Sequence, residues 1–371
     1  MATRPGFRFL KLSVLATFIS LSFLLALVAT FRLHPFRTVV QSSPERRVLA
    51  PAPQSSPNIL VSYSYFEKDA IQVDNFRFFL EAAVLDATAT RPITYVIVVS
   101  GSTCTPCQKI HSSLSTKAIL LHRENDGMDF GSHNYTLEYL RKKELLWKYS
   151  YYFLLNSSVK GPFFPSYMPA LWHWTDAFVS RFGGGVHAVG SSLVCLPPID
   201  AAVNAFTAVE ASESCCPTTG GPGPRLESWA VALDQVALEI TMRRQVFVVR
   251  TCKMCVDDTG IIVRGEYGLT AGLLAEGHNV ATLMSMYAQG VDWRVRENWN
   301  CNDNVHPSRH GTYGGIAFHP FETASPVFVK SSWHVADPYT SRYARWRRKH
   351  LNGSSGADGK FDRDMYLYAI G

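Results

Sequence analysis

The 371-residue sequence lacks an internal repeat and lacks a stripe of basic residues interleaved with aromatics. Without a repeat, one domain of catalytic size is the simplest organisation. Without a basic stripe, nucleic acid is not an expected partner: the net charge of +6 is spread thinly, apart from a basic cluster over 342–349. A hydrophobic content of 47% with 18% charged residues is ordinary for a folded protein of this length, which can bury one large core or two modest ones.

The run Leu12–Phe31 carries no charge and is long enough to span the hydrocarbon core of a bilayer. Arginines flank it on both sides, so the positive-inside rule does not decide its orientation. A cleaved signal peptide is the alternative, but the apolar region of such peptides is usually only about 7–15 residues. We therefore predict an uncleaved signal anchor at residues 12–31, with a cytosolic tail at 1–11 and the remaining chain in the lumen of the Golgi or the endoplasmic reticulum.

Residues 32–57 are rich in proline, serine, arginine and alanine and show no apolar periodicity, which is typical of a flexible stalk. A single globular domain is predicted over 58–345, followed by a tail over 346–371. Three Asn-x-Ser/Thr sequons agree with a luminal location, at Asn134, Asn156 and Asn352. Asn134 and Asn352 are the expected glycosylation sites, because Asn156 lies where a ligand is predicted.

Apolar runs alternate with helical patterns through the first half of the domain. Strands are predicted at Ile59–Val61, Ile93–Val99, Ala118–Leu121 and Tyr151–Leu155, and helices at Asp74–Thr88 and Thr136–Trp147. This alternation indicates an α/β fold with a mostly parallel sheet flanked by helices. Further along, the pattern predicts a strand over Val186–Val194 and a helix over Glu227–Ile240.

Polar residues follow two of the predicted strands at the point where each strand ends. Ligands of open α/β sheets bind at the carboxyl ends of the strands, so these residues indicate a site for a phosphate or a sugar. Each segment alone is equally well explained as a solvated turn. The predicted binding residues are Arg123, Asn125, Gly127, Asp129, Asn156, Ser157, Ser158 and Lys160. The nearby aromatics Tyr151, Tyr152, Trp172 and Trp174 are candidates for the floor of a sugar-binding cleft, although such residues usually belong to a core.

Two further segments carry residues suited to catalysis. Glu266 stands at the head of an apolar helix that ends at Gly277. A carboxylate is stabilised there by the helix dipole whatever its role, and beside a cleft it would also serve as a general base. His319, in the segment His319-Pro320-Phe321-Glu322, would not be selected without its context.

The cysteines allow more than one interpretation. Cys104 and Cys107 follow a strand and precede a helix, the setting of a redox-active dithiol, but no aromatic residue precedes the pair. A second pair, Cys252 and Cys255, would complete a four-thiolate zinc site only across a long intervening segment. Local disulfides within each pair are the favoured prediction.

Taken together, Arg123–Gly131, the Asn-Ser-Ser turn with Gly161-Pro162, Gly265–Thr270 and His319–Glu322 resemble the rhamnan-synthesis F-type glycosyltransferases. The sequence resembles still more closely the related type II membrane proteins of algae and plants. The similarity covers about Ile59 to Trp333. It implies a GT-A-like, Rossmann-related fold that binds a nucleotide-diphosphate sugar at the carboxyl edge of its sheet, with the residues from Arg123 to Asp129 on the nucleotide side.

The resemblance also assigns roles to single residues. Glu266 matches the acid that deprotonates the acceptor hydroxyl in inverting members, and His319 matches a late histidine that some GT-A enzymes use on the metal or the diphosphate. Whether transfer retains or inverts the configuration stays open. Asn156-Ser157-Ser158 occupies the place of an Asp-x-Asp metal motif but has no carboxylate, so the need for Mn²⁺ or Mg²⁺ stays open.

The implied function is transfer of a sugar from a nucleotide sugar to a glycan or glycoprotein acceptor. The alternatives are a catalytically inactive sugar- or nucleotide-binding protein of the same fold, and a luminal thiol oxidoreductase that uses Cys104 and Cys107.

Overall fold

The computed structural model describes residues 57–85, 91–114, 116–163, 172–195, 223–251, 260–299, 301, 327–331, 340–341 and 343–345. All of them belong to the unit Ser55–Gly371. The predicted signal anchor at 12–31 and most of the predicted stalk lie outside these residues. None of the helices described is long and apolar enough to cross a membrane.

A seven-stranded sheet forms the centre of the domain, and two small two-stranded sheets lie beside it. The strands are β1 (Ile59–Phe66), β2 (Ile93–Ser100), β3 (Ala118–Arg123), β4 (Tyr151–Asn156), β5 (Val159–Lys160), β6 (Val186–Gly190), β7 (Leu193–Cys195), β8 (Pro224–Leu226), β9 (Ala230–Asp234), β10 (Asn279–Thr282) and β11 (Val329–Lys330). The order in the large sheet is β10-β6-β9-β4-β1-β2-β3. Only β9 runs against the other six strands, so the predicted mostly parallel sheet is confirmed.

Helices cover both faces of this sheet. They are α1 (Ala70–Phe79), α2 (Thr105–Leu114), α3 (Met128–Lys142), α4 (Asp176–Val179), α5 (Gln235–Arg243) and α6 (Gly268–Ala275). A π-helical segment at Leu80–Val84 continues α1, and a second one at Ile262–Tyr267 precedes α6. Short 3₁₀ turns lie at Leu146–Lys148, Ser285–Tyr287 and Arg296–Trp299.

The alternation of side chains along the strands explains the layers. In β1, Ile59, Val61 and Tyr63 pack with α1, whereas Leu60 packs with α3 on the opposite face. A strand buried on both faces needs apolar residues at nearly every position, which is why β4 is apolar from Tyr151 to Leu155 and β1 begins with the apolar run Ile59–Val61.

The order of the first four strands creates a topological switch point. The chain moves outward from β1 to β2 and β3, and then returns across β1 to form β4 on its other side. The connections on the two sides leave a crevice between the carboxyl ends of β1 and β4, where open α/β sheets bind their ligands. The turn at Asn156–Ser158 lies at this crevice.

Several predicted elements differ from the structure. The strand predicted over Val186–Val194 is two strands, β6 and β7, which belong to different sheets. Helix α3 begins at Met128 and not at Thr136, because Gly127 takes the left-handed conformation and starts the helix directly after the polar turn. The predicted helix over Glu227–Ile240 is a strand followed by a helix: Ala230–Asp234 forms β9, and Asp234 then caps α5 by accepting a hydrogen bond from the Ala237 amide at 2.9 Å. A short buried strand and a helix share the same apolar composition, so periodicity alone did not separate them.

Candidate functional site

The carboxyl end of β4 is closed by a compact turn. Asn156 Oδ1 accepts hydrogen bonds from the Ser158 backbone N–H at 3.0 Å and from the Ser158 hydroxyl at 2.5 Å. The Ser157 hydroxyl accepts a hydrogen bond from the Phe66 amide at 3.4 Å, and Ser157 donates its own amide to the Ser64 carbonyl at 3.0 Å. The turn is thereby fixed to the end of β1, across the switch point.

Asp129 connects this turn to the first turn of α3. Its Oδ2 accepts a hydrogen bond from Asn156 Nδ2 at 2.6 Å, and its Oδ1 accepts one from the Phe130 amide at 3.2 Å. The helix starts at Gly127, whose φ of 68° is left-handed, and Met128 also has a positive φ of 51°. A residue other than glycine seldom adopts the left-handed backbone conformation, and those that do occur preferentially at functional sites. The structure therefore brings together two predicted binding segments that are separated in the sequence.

Arg123 at the end of β3 holds the polar turn that leads into α3. Its Nη2 donates a hydrogen bond to the Asp126 carbonyl at 2.6 Å, while its Nη1 is buried. Burial lowers the pKa of the guanidinium, and the nearby Asp126 opposes that shift. Gly131 makes the arrangement sterically feasible, since a β-carbon there would lie 2.0 Å from the Asp126 carbonyl oxygen. Asn125 lies exposed on the same turn.

Glu266 follows Gly265, which lies against the first turn of α3. A β-carbon at Gly265 would lie 3.1 Å from Cδ1 of Phe130 in the first turn of α3, so the Phe130 ring packs closely against the Gly265 backbone. Glu266 is half-buried and belongs to the π-helical segment rather than to α6 itself. Single π-helical turns recur at functional sites.

The residues that follow Glu266 attach its segment to the second small sheet. The guanidinium of Arg225 lies 4.3 Å from the centre of the Tyr267 ring, and the Thr270 hydroxyl accepts a hydrogen bond from the Leu226 amide at 2.9 Å. These contacts fix Glu266 relative to β8.

Lys160 lies on β5, where its ammonium forms an ion pair with the Asp74 carboxylate of α1. Its side chain is 6% exposed, against 40% for that of Asp74. β5 pairs with β11, so the segment that follows His319 in the sequence lies against the Asn156 turn. His319 itself is outside the described residues.

A layer of buried polar side chains lies between α3 and the sheet. The Ser62 hydroxyl of β1 lies 2.9 Å from His133 Nδ1 and donates to the Thr136 hydroxyl at 2.9 Å. Burial lowers the pKa of His133 to about 4, although the Asp129 carboxylate opposes that shift. His133 is therefore neutral at pH 7, and α3 is oriented by hydrogen bonds as well as by apolar packing.

A second group of residues lies at the carboxyl end of β4, and the sequence did not indicate it. Because β9 is antiparallel, its amino end meets the carboxyl end of β4, and the Asn156 amide donates to the Trp229 carbonyl at 3.2 Å. Glu227, two residues earlier, accepts a short hydrogen bond from the Ser192 hydroxyl and donates its amide to the Ser192 carbonyl at 3.2 Å. Polar residues before a strand become informative only when the strand is known to be antiparallel.

The aromatic side chains proposed as a cleft floor are largely part of the core. Trp174 is 2% exposed and packs edge-to-face against Phe153, and the Tyr152 hydroxyl donates to the Leu146 carbonyl at 2.7 Å. Tyr151 starts β4 at the edge opposite the switch point. The expected sugar-stacking role of Tyr152 and Trp174 is therefore wrong, because both rings are needed to fill the interior.

Cys104 and Cys107 form a disulfide at the start of α2, as the favoured prediction had it. Both residues are buried, whereas a redox-active pair exposes at least one sulfur. A disulfide that the sequence did not predict joins Cys195 at the end of β7 to Cys301. Cys252 and Cys255 lie outside the described part of the chain.

The predicted glycosylation sites differ in setting. Asn134 lies within α3 and is half-buried. Asn352 is not among the described residues. The part of the chain that the structure describes holds no cluster of three histidine, cysteine, aspartate or glutamate side chains able to bind a metal ion.

No family model and no curated protein matches the sequence. Several solved structures share a distant likeness in fold. The mannosyltransferase PcManGT from Pyrobaculum calidifontis, in complex with GDP-Man and Mn²⁺, is 14% identical with a TM-score of 0.37, covering 86% of this chain and 80% of its own. Mouse xyloside xylosyltransferase 1 is 10% identical with a TM-score of 0.30, covering 61% and 84%.

Core-mannan synthase A from Aspergillus fumigatus, in its Mn/GDP form, is 8% identical with a TM-score of 0.28, covering 61% and 67%. By name the first is a mannosyltransferase, the second a xylosyltransferase and the third a core-mannan synthase. Similarity at this level does not assign an activity to this chain.

Proposed function

We propose that this chain is a glycosyltransferase that moves a sugar from a nucleotide-diphosphate sugar to a hydroxyl group of a glycan or glycoprotein. We propose further that residues 12–31 anchor it as a single-pass type II protein of the Golgi or the endoplasmic reticulum, with the domain in the lumen. The proposed site consists of three segments in the described part of the chain, Arg123–Asp129, Asn156–Ser158 and the segment that carries Glu266. His319 is proposed as a fourth contributor.

The observation that supports the proposal is that these motifs all contact the first turn of α3. The hydrogen bond between Asn156 and Asp129 joins the β4 turn to the start of α3, and the Phe130 ring of the same helix turn packs against Gly265, the neighbour of Glu266. These segments resemble one enzyme family in sequence, and the β4 turn follows a strand at the topological switch point, where a nucleotide is expected.

The chemistry assigns a role to each side of the crevice. In the transfer, the bond between the sugar's anomeric carbon and the diphosphate oxygen breaks, and a bond from that carbon to the acceptor oxygen forms. The acceptor proton passes to the Glu266 carboxylate, and the nucleoside diphosphate leaves with the electron pair of the broken bond. The polar turns at Arg123–Asp129 and Asn156–Ser158 would bind the nucleotide.

The decisive assay uses the purified full-length chain in detergent with a panel of UDP-, GDP- and dTDP-sugars and measures the nucleotide released with and without acceptor glycans. Release from one donor supports the proposal. No release, together with no thermal shift by any nucleotide, contradicts it.

Glu266→Gln should then lower turnover by about 10²-fold or more while nucleotide affinity is retained. Glu239→Gln, on the exposed face of α5, is the matched control and should leave turnover unchanged. Glu227→Gln tests the other carboxylate at this edge, and a larger loss there would reassign the base to Glu227.

A binding protein without catalysis is a second candidate, favoured by the neutral residues at 156–158. Nucleotide binding without release on any acceptor would support it. The burial of Cys104 and Cys107 favours a structural role for their disulfide, and full activity of the Cys104→Ser, Cys107→Ser double variant would remove the oxidoreductase alternative.

A further inference from the structure

The turn after β4 stands where the resembled family carries a metal-binding Asp-x-Asp motif. A Mn²⁺ or Mg²⁺ ion needs oxygen ligands whose lone pairs can turn toward it, and carboxylates serve best. The oxygens available at this turn belong to Asn156, Ser157, Ser158 and, from α3, Asp129.

The side-chain oxygens of the turn are engaged within it or by β1. Asn156 Oδ1 accepts two hydrogen bonds from Ser158, one from the backbone N–H and one from the side-chain hydroxyl. The Ser157 side chain is buried and its Oγ accepts from the Phe66 amide.

The carbonyl oxygens of the turn are engaged as well. The Ser157 carbonyl accepts a hydrogen bond from Asn75 Nδ2 at 2.9 Å, and the Ser158 carbonyl accepts one from the Ser331 amide at 3.1 Å. A cation bound through these atoms would have to share them with the contacts that hold α1 and the segment after His319 in place.

The nearest carboxylate has a partner in place of a metal. Asp129 Oδ2 faces the amide hydrogens of Asn156 at 2.6 Å, and its Oδ1 faces the Phe130 amide. An aspartate at position 156 would face Asp129 with two negative charges and require a cation between them. Asparagine supplies a donor at that point and satisfies Asp129 without one.

We infer that this chain binds its nucleotide donor without a divalent cation at the β4 turn, the Asn156–Asp129 hydrogen bond taking the structural place of the metal. The inference rests on the proposed function, since it concerns how the proposed donor is held. It predicts that nucleotide binding at the β4 turn is independent of metal, at a position where the resembled fold implies one.

The first test measures binding of UDP, GDP and dTDP to the full-length chain by calorimetry, in Mn²⁺ and in EDTA. We expect the dissociation constant of the nucleotide that binds to agree within about twofold between the two buffers. Binding that appears only with Mn²⁺ overturns the inference and leaves the proposed function standing. Absence of binding in both buffers overturns the proposed function and the inference with it.

The second test asks whether one substitution creates the missing site. Asn156→Asp should gain Mn²⁺ binding, detected by loss of the free Mn²⁺ signal in electron paramagnetic resonance, and should be stabilised to heat by Mn²⁺. Asn58→Asp, which adds the same charge next to the amino end of β1, should do neither. Mn²⁺ uptake by the wild-type chain that equals the uptake by Asn156→Asp and exceeds that by Asn58→Asp would overturn the inference.

Discussion

Asn156 donates a hydrogen bond to Asp129 at 2.6 Å, and this contact joins the end of β4 to the beginning of α3. Asp129 lies in the first turn of the helix, where the helix dipole favours a negative charge. One pair of side chains thus fixes the relative position of two segments predicted separately to bind the ligand.

Removing the acceptor should cost more than neutralising it. Asp129→Ala leaves the Asn156 amide without its partner and should lower the free energy of unfolding by about 2 kcal/mol, whereas Asp129→Asn keeps a neutral acceptor and should cost about half as much. Urea unfolding of both variants measures the order, with Glu124→Gln in the exposed turn as the control. Equal losses for the two variants would mean that a neutral acceptor does not replace the carboxylate, and no loss in Asp129→Asn would mean that charge plays no part in the contact.

The buried His133 should make the domain less stable in mild acid. Its pKa is about 4 in the folded protein, against an ordinary value of 6.5, so the unfolded state binds a proton that the folded state does not. His133 therefore does not lower the free energy of unfolding above pH 6.5, and it lowers it progressively as the pH falls toward 4.

Between pH 7 and pH 5 this single residue should account for a loss of about 2 kcal/mol. Comparing urea unfolding at the two pH values for wild type and His133→Gln checks it, and the variant should show a smaller loss. The exposed His122→Gln variant should behave like wild type. An unchanged pH dependence in His133→Gln would contradict the assignment.

Gly131→Ala should disrupt the start of α3. The added β-carbon would lie 2.0 Å from the Asp126 carbonyl oxygen and 2.7 Å from Arg123 Nη1, so the turn has to move. We expect a loss of about 3 kcal/mol or more. Gly184→Ala is the control: that residue has a φ of +60° but meets nothing within 4 Å, so only the backbone cost of about 1 kcal/mol applies.

A loss at Gly131 no greater than at Gly184 would show that the turn adapts freely. Thermal unfolding and far-UV circular dichroism of the two variants report stability and helix content together.

The two disulfides should differ in their contribution to stability. Cys195–Cys301 closes a loop with a sequence separation of 106, whereas Cys104–Cys107 spans a separation of 3. In the chain-entropy model the long loop contributes about 4–5 kcal/mol and the short one about 2 kcal/mol. Urea unfolding of the two double Cys→Ala variants measures the difference. The reverse order would show that local geometry outweighs loop closure.

The sequence by itself determined the layered α/β fold and named several residues of the candidate site. Buried strands of a parallel sheet have to be apolar on both faces, so β1, β2 and β4 were recognisable, and Asn156 marked the end of β4 because polarity begins where burial stops. Asp129 and Glu266 were named from local composition in the same way.

Only the tertiary structure decided which of these residues meet. That Asn156 bonds to Asp129, that Lys160 pairs with Asp74, and that Glu227 lies at the same edge all follow from the strand order and from the reversed direction of β9. Local patterns carry the period of an element and its burial, but they do not carry its neighbours or its direction. Those depend on which arrangement of the whole chain buries the most apolar surface while pairing its polar groups.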